Sequence, residues 1–411
     1  MKNYLLSLTL SLSVLIIHAQ QVGHTTIVFN DPSRSGGFGF GGGPGRQILT
    51  EIYYPATISG SNVPVANGQF PVVVFGHGFV MRWDAYEWLY TSLARQGFIV
   101  ALPRTEGEIL PNHDDFARDL AIVAARMQAE RTRPSSRFFG RIANATAVGG
   151  HSMGGKATVL SDKYQTVPIN AYFNFSPANG MGNGNMFTDA AGITEPFLVI
   201  TGSFDKVAPP STEARPLYQA LASSCKTYLN LRGGYHCQFN DFNLNCHTGE
   251  TSLLPQLNGL TRTQQLNLTS SFLLPFLNFY LKNDAAQGQL FVNRINTSNQ
   301  LAERLHSCGN AKKEDEYSET DITSEASILK LNAFPNPFGN QAILELNLLE
   351  PAADAYIEIY NLEGKRVFET RLILTEGLSN IPVETSDWRS GLYVVRCTIN
   401  ENVISKTIIK E

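Results

Sequence analysis

The sequence predicts an α/β domain, a mostly parallel sheet with helices on both faces, followed by a small all-β sandwich. Three observations carry that expectation. Between residues 70 and 282, short apolar runs alternate with longer segments of helical periodicity, the pattern of parallel strands joined by crossover helices. Around residues 310–327 the composition turns to NAKKEDEYSETDITSEAS, polar and charged, which reads as a linker. Beyond it the apolar period falls to two, with Leu344, Leu346 and Leu348 alternating with Glu345 and Asn347, as in a sheet that buries one face.

The opening MKNYLLSLTLSLSVLIIHAQQ places Lys2 before an apolar stretch that runs through Ile17 to small Ala19. That is the layout of a secretory signal peptide over residues 1–19. The stretch is short and broken by serines, which argues against a membrane anchor, and no second stretch is long enough to span a bilayer. RSGGFGFGGGPG at 34–45 leads into the β-branched and aromatic run QILTEIYYP and has no Lys-Ser/Thr pair. It therefore reads as a surface turn between two early strands, not as a nucleotide-binding loop.

FPVVVFGHG predicts a buried strand, YEWLYTSLARQG a helix stopped by Gly97, and FIVALP another strand. In DDFARDLAIVAARMQAE, Phe116, Leu120, Val123 and Met127 share one helical face. TAVGGHSMGG is a strand running into a turn, and AYFNFSP and EPFLVITGSFD are further strands. TYLNLRGG follows a helical segment, and SSFLLPFLNFYLK closes the unit as an apolar helix. The expected organisation is thus an α/β domain over 20–308, a linker over 309–327 and a β-sandwich over 328–411. Within the last, YIEIYN, KRVFE, LYVVRCTI and VISKTII are strands and LEGK and SGL are turns.

A chain of 411 residues exceeds one ordinary domain. Its net charge of -4 and the absence of any Lys/Arg run argue against a nucleic-acid or anionic-membrane partner. Five cysteines fit an exported, oxidising setting. Cys237 and Cys246 are close enough in sequence to close a small loop, Cys225 would then pair with Cys308, and Cys397 would stay alone. Four cysteines allow three connectivities, so this is one of three. The Cys and His spacings form no closed ligand set, and no metal or organic cofactor is expected.

AVGGHSMGGKATVLS at 147–161 sets Ser152 in the pattern Gly150-x-Ser152-x-Gly154. A serine on a tight strand-to-helix turn needs flanks without side chains, and the turn lifts its hydroxyl above the sheet beside a helix N-terminus that favours negative charge. A hydroxyl needs an adjacent base to act as a nucleophile, and in this arrangement the acid and then the histidine follow the serine in chain order. Asp205, at the end of LVITGSFD, is the expected acid, with Asp189 and Asp162 as rivals. His236, in the glycine-freed loop of YLNLRGGYH, is the expected base, with His247 as its competitor. His151, fixed beside the nucleophile, reads as structural, and His77, His113 and His306 have no claim from chain order. The N–H groups of Met153 and of Phe79, in FGHGF, are the expected oxyanion donors, and the Phe79 ring should flank the acyl group.

On GHGF with the helix after it, GHSMGG, FDKVAPP and GGYH, residues 22–308 resemble an α/β-hydrolase of the dienelactone hydrolase, chlorophyllase and cutinase-like polyesterase kind. The resemblance implies hydrolysis of esters, small or polymeric. Two departures stand out: polyesterases of this kind carry a tryptophan where this chain reads FSPANG, and glycine where it has Lys156. A peptidase, or a binding protein that keeps only the fold, are the other readings of the same scaffold. From about Leu329 to Glu411 the chain resembles the type A sorting domain of the type IX secretion system, on AFPNPF, IYNLEGKRVFE, GLYVVRCTI and the closing TIIKE. That resemblance implies secretion machinery as a partner and a destination outside, or on the outer surface of, a Gram-negative cell. The alternative for the tail is a carbohydrate- or polymer-binding sandwich, which would be expected to display an aromatic platform.

Overall fold

The computed structural model describes residues 21–36, 45–180, 182–251, 259–308, 328–334, 337–348, 352–361, 365–374, 377–399 and 402–411. The expected signal peptide and linker, and residues 37–44 of the glycine-rich turn, lie outside them. The chain divides into two compact units, at Lys312 and Lys313.

In the first unit the described elements run β1 (Gln21–Asp31), β2 (Arg46–Ala56), β3 (Gly60–Ser61), β4 (Phe70–Gly76), α1 (Glu87–Arg95), β5 (Ile99–Pro103), α2 (His113–Glu130), β6 (Ile142–His151), α3 (Met153–Ser161), β7 (Ala171–Phe175), α4 (Met186–Asp189), β8 (Phe197–Gly202), α5 (Ala214–Ala220), β9 (Cys225–Leu231), α6 (Leu244–Thr251), α7 (Arg262–Lys282), α8 (Ala285–Thr297) and β10 (Leu301–Cys308). The ten strands form one sheet in the order β10-β9-β8-β7-β6-β4-β5-β2-β1-β3. From β5 to β9 every pairing is parallel, while β2 meets β5, β1 meets β2, and β10 meets β9 antiparallel. The glycine-rich turn joins β1 to β2, whose register places Asp31 opposite Arg46.

Strands β4 (FPVVVFG) and β5 (IVALP) are apolar throughout because both faces are covered. In β4, Val72 and Val74 join the cluster under α2 and α3, and Val73 and Phe75 join the one under α1 and α7. All four are fully buried, each worth about 1.5–3 kcal/mol against exposure. Gly97 takes φ +81° after α1, the left-handed stop that suits glycine. The expectation that SSFLLPFLNFYLK closes the unit is corrected. That segment ends α7, but α8 packs on it through Phe291 against Phe276, and β10 then returns to the sheet edge, where the disulfide Cys225–Cys308 holds it to β9.

The strand order reverses between β4 and β6. Chain leaving β4 goes to one side of the sheet and chain leaving β6 to the other, which opens a crevice at the carboxyl ends of these neighbours. Their register places Gly76 opposite Gly150, so the loop after β4 and the turn after β6 start side by side.

The second unit contains β11 (Ile328–Phe334), β12 (Gln341–Leu348), β13 (Ala352–Asn361), β14 (Arg366–Leu374), β15 (Gly377–Glu384), β16 (Gly391–Ile399) and β17 (Asn402–Lys410). They form two antiparallel sheets, β11-β12-β15 and β14-β13-β16-β17. The period-two alternation puts Leu344 and Leu346 inside with Ile357, Ile359, Val383 and Val395, and the free Cys397 is buried among them.

Candidate active site

Every expected site residue leaves the carboxyl end of a parallel strand. Phe79 follows β4, Ser152 and Met153 follow β6, Asp205 follows β8 and His236 follows β9. Ser152 takes φ 55° and ψ -117°, a strained conformation for a residue with a Cβ. The flanking glycines have a steric reason. A Cβ on Gly150 would stand 2.2 Å from the Gly154 carbonyl oxygen, and one on Gly154 would stand 2.1 Å from the Gly76 carbonyl oxygen. The Ser152 N–H donates to the Phe175 carbonyl at 3.0 Å, and α3 begins at the next residue.

The structure brings Ser152, His236 and Asp205 together. Ser152 Oγ lies 2.9 Å from His236 Nε2, and His236 Nδ1 lies 2.8 Å from Asp205 Oδ2. The other Asp205 oxygen accepts the Ala208 N–H at 2.7 Å. Burial alone would lower the His236 pKa, but the charge of Asp205, its hydrogen bond and the charge of Glu250 outweigh burial and raise it above 6.5. The rivals sit elsewhere: Asp189 receives Lys163 Nζ, Asp162 receives the Tyr172 hydroxyl, and His247 lies on α6 against Phe242.

The loop after β9 is held by groups that no sequence pattern singles out. Buried Gln265 of α7 clamps the Tyr235 peptide, its Oε1 accepting the Tyr235 N–H at 2.8 Å and its Nε2 donating to the Tyr235 carbonyl at 2.7 Å. Buried Glu250 of α6 accepts the N–H groups of His236 at 2.6 Å and Cys237 at 3.1 Å. The disulfide Cys237–Cys246 ties that helix to the residue after the histidine, so both expected cysteine pairs are present. Burial, against those two N–H donors and His236, raises the Glu250 pKa.

Beside Ser152 opens a cavity of about 530 Å³, lined by Phe79, Val80 and Met81 of the loop after β4, by Val207, and by Cys246, Thr248 and Glu250 of α6. Phe79 is half exposed. Val80, a β-branched residue, takes φ +52°, a costly conformation that turns the chain sharply after Phe79. Among the described residues neither the Phe79 N–H nor the Met153 N–H has an acceptor. FSPANG lies beside Ser152, with the Ala178 N–H donating to the Ser152 carbonyl at 3.1 Å. Lys156 is fully buried, and its Nζ has no hydrogen-bond partner among the described residues. Among the described residues no group of three His, Cys, Asp or Glu side chains could hold a metal, and no helix is long and apolar enough to cross a membrane.

Such an arrangement can deliver a deprotonated hydroxyl to a carbonyl carbon at the floor of an apolar cavity. Known proteins with related sequences fit that chemistry. A family model described as PET hydrolase-like matches residues 16–257, and one described as a secretion system C-terminal sorting domain matches residues 332–411. A bis(hydroxyethyl) terephthalate hydrolase of Streptomyces coelicolor is 32% identical over 207 residues, 50% of this chain and 58% of that protein. Cutinase 1 of Thermobifida cellulosilytica is 31% identical over 206 residues, 50% of this chain and 68% of the cutinase. Chlorophyllase-2 of Arabidopsis thaliana is 22% identical over 252 residues, 54% of this chain and 76% of the plant protein. The chain thus spans less than two thirds of the Streptomyces protein.

Proposed function

The chain belongs to the PET hydrolase-like family, and from that premise we propose that it is a secreted serine carboxylic-ester hydrolase working through an acyl-enzyme. The observation that carries the reading is the hydrogen-bonded line from Asp205 through His236 to Ser152, ending beneath an apolar cavity. His236 Nε2 takes the Ser152 proton as Oγ bonds to the ester carbon, and the carbonyl electron pair moves onto oxygen. The N–H groups of Phe79 and Met153 hold that oxyanion, each such donor being worth about 3 kcal/mol. Its collapse breaks the ester C–O bond, and the imidazolium returns its proton to the leaving alkoxide. Water, deprotonated by the same nitrogen, then releases the acid and restores Ser152. Asp205 fixes the imidazole tautomer and steadies its charged form.

A fluorophosphonate probe tests this directly. The wild-type chain should label and turn over soluble acyl esters, and Ser152→Ala should do neither. An unlabelled wild type, or a labelled alanine variant, overturns the assignment.

A polyester substrate is the second reading, favoured by relatives named as cutinases and a terephthalate-ester hydrolase and by the open apolar cavity. The tryptophan-free FSPANG loop weighs against it. Release of soluble products from polyester film, set against turnover of short soluble esters, separates the two. The C-terminal sorting domain supports export and a place outside the cell or on its outer surface, with secretion machinery as the partner of that unit.

A further inference from the structure

We propose that Tyr86 is a positioning residue that, through the ring of His151, ties the loop carrying the Phe79 N–H to the loop carrying His236. The inference rests on the reading of Ser152 as the nucleophile and of these two loops as its oxyanion and base partners.

The contacts form one line. The Gly78 N–H donates to the Tyr86 hydroxyl oxygen at 2.9 Å. That oxygen lies 2.8 Å from His151 Nδ1, and His151 Nε2 lies 3.2 Å from the His236 carbonyl oxygen. A carbonyl can only accept, so His151 Nε2 carries the hydrogen. A neutral imidazole has one N–H, which makes Nδ1 an acceptor for the Tyr86 O–H. The tyrosine oxygen keeps its lone pairs for Gly78. Only one protonation pattern therefore satisfies every group: Gly78 N–H to Tyr86 O–H to His151, and His151 Nε2–H to the His236 carbonyl. Tyr86 and His151 are fully buried, where an unmatched polar group is costly and a matched line is rigid.

Burial and the neighbouring His236 hold the His151 pKa well below its ordinary value, so the ring stays neutral and the pattern persists. The His151 and His236 rings lie 4.8 Å apart. Position 78 also has no room for a side chain: a Cβ there would stand 2.8 Å from Met81 Sδ, 3.2 Å from His151 Nδ1 and 3.3 Å from the Tyr86 oxygen. Gly78 immediately precedes the proposed oxyanion donor, and His236 is the proposed base. The tie thus sets the distance between the two groups that must act on one carbonyl, and a displacement near 1 Å between such groups can cost about a hundredfold.

The experiment compares the wild-type full chain with Tyr86→Phe, His151→Phe and the double variant, on a soluble p-nitrophenyl ester, with thermal unfolding recorded for each. Tyr86→Phe should lower kcat roughly ten- to hundredfold with KM within about twofold. The double variant should be no slower than the slower single variant, because both break one line. Wild-type kcat in folded Tyr86→Phe, whatever its melting temperature, overturns the tie, as do losses that multiply in the double variant. If Tyr86→Phe does not fold, His151→Phe breaks the line from its middle, and an unchanged kcat there overturns the tie equally. A wild type that turns over no ester overturns the hydrolase reading and the tie with it. A wild type that works beside an equally active Tyr86→Phe removes the tie alone.

Discussion

Two clusters of buried polar groups in the α/β unit use carboxylates and nitrogen bases in opposite ways. Where β2 faces α2, Arg46 grips both oxygens of Asp119 at 2.7 and 2.9 Å and also reaches Glu106 at 2.6 Å. Arg34 adds a contact to Asp119 at 2.7 Å and one to Asp31 at 2.6 Å, and the Thr105 hydroxyl donates to Asp119. Glu106 also accepts the Asn112 N–H. Two guanidiniums meet four carboxylates, Asp31, Glu106, Asp115 and Asp119, and neither base has a proton to give: arginine stays charged at any working pH. At the carboxyl ends of β6, β8 and β9, Asp205 instead faces an imidazole that can gain or lose a proton, and beyond it lies a neutral hydroxyl under an open cavity. The first cluster fastens the chain on either side of the glycine-rich turn to α2. The second leaves its last member, the Ser152 hydroxyl, facing an open cavity.

The contrast is sharpened most by removing a carboxylate charge from the open cluster. Asp205→Asn should lower kcat about 10⁴-fold, since the amide favours the wrong imidazole tautomer, while the folded state loses little. Steady-state kinetics beside a melting curve reads both quantities. A variant that melts early but keeps its kcat would make Asp205 a structural residue and erase the difference between the clusters.

The converse change acts on the closed cluster. Arg46→Met leaves Asp119 and Glu106 buried beside fewer positive charges, and breaking such a pair costs about 3–5 kcal/mol. Urea unfolding should show that loss, while kcat of the protein that remains folded stays within about twofold of wild type. A large fall in kcat with unchanged stability would show that this cluster reaches the chemistry.

The two clusters also differ in how far the sequence disclosed them. Ser152 announces itself because a nucleophile turn imposes a contiguous steric rule, and the chain order of the fold then singles out Asp205 and His236. Strands β4 and β5 are legible because burial on both faces makes them apolar without interruption. Arg46 and Asp119 stand 73 residues apart, and no spacing rule links them; each alone reads as a surface charge. Gln265 and Glu250 are hidden for the same reason, being polar residues whose partners are backbone groups of a distant loop. Tyr86 reads as one aromatic among the apolar residues of a helix start, because its hydroxyl finds Gly78 and His151 only after β4 and β6 pair. The last strand of the unit escapes the apolar pattern because β10 is an edge strand, LAERLHSC, whose apolar residues are few.

The smallest effect lies within the open cluster, where Glu250 and Asp205 act on one histidine from two sides. In the proposed mechanism His236 must be neutral to accept the Ser152 proton, and Asp205 with Glu250 holds its pKa above 6.5, so activity should rise with pH through a midpoint above that value. The stability sign is opposite. A raised histidine pKa means that the folded state binds this proton more tightly than the unfolded chain, so the contribution is full below about 6.5 and is lost as pH rises through the folded value. The enzyme should therefore gain rate over the same interval in which it gives up this part of its stability. Glu250→Gln keeps an acceptor for the His236 and Cys237 N–H groups but removes the charge. The difference between a charged and a neutral acceptor is about 1 kcal/mol, so plateau kcat should fall roughly fivefold, and the rate midpoint should move to lower pH. A midpoint that stays in place with the same plateau would leave Asp205 as the sole electrostatic partner of His236 and reduce α6 to a wall of the cavity.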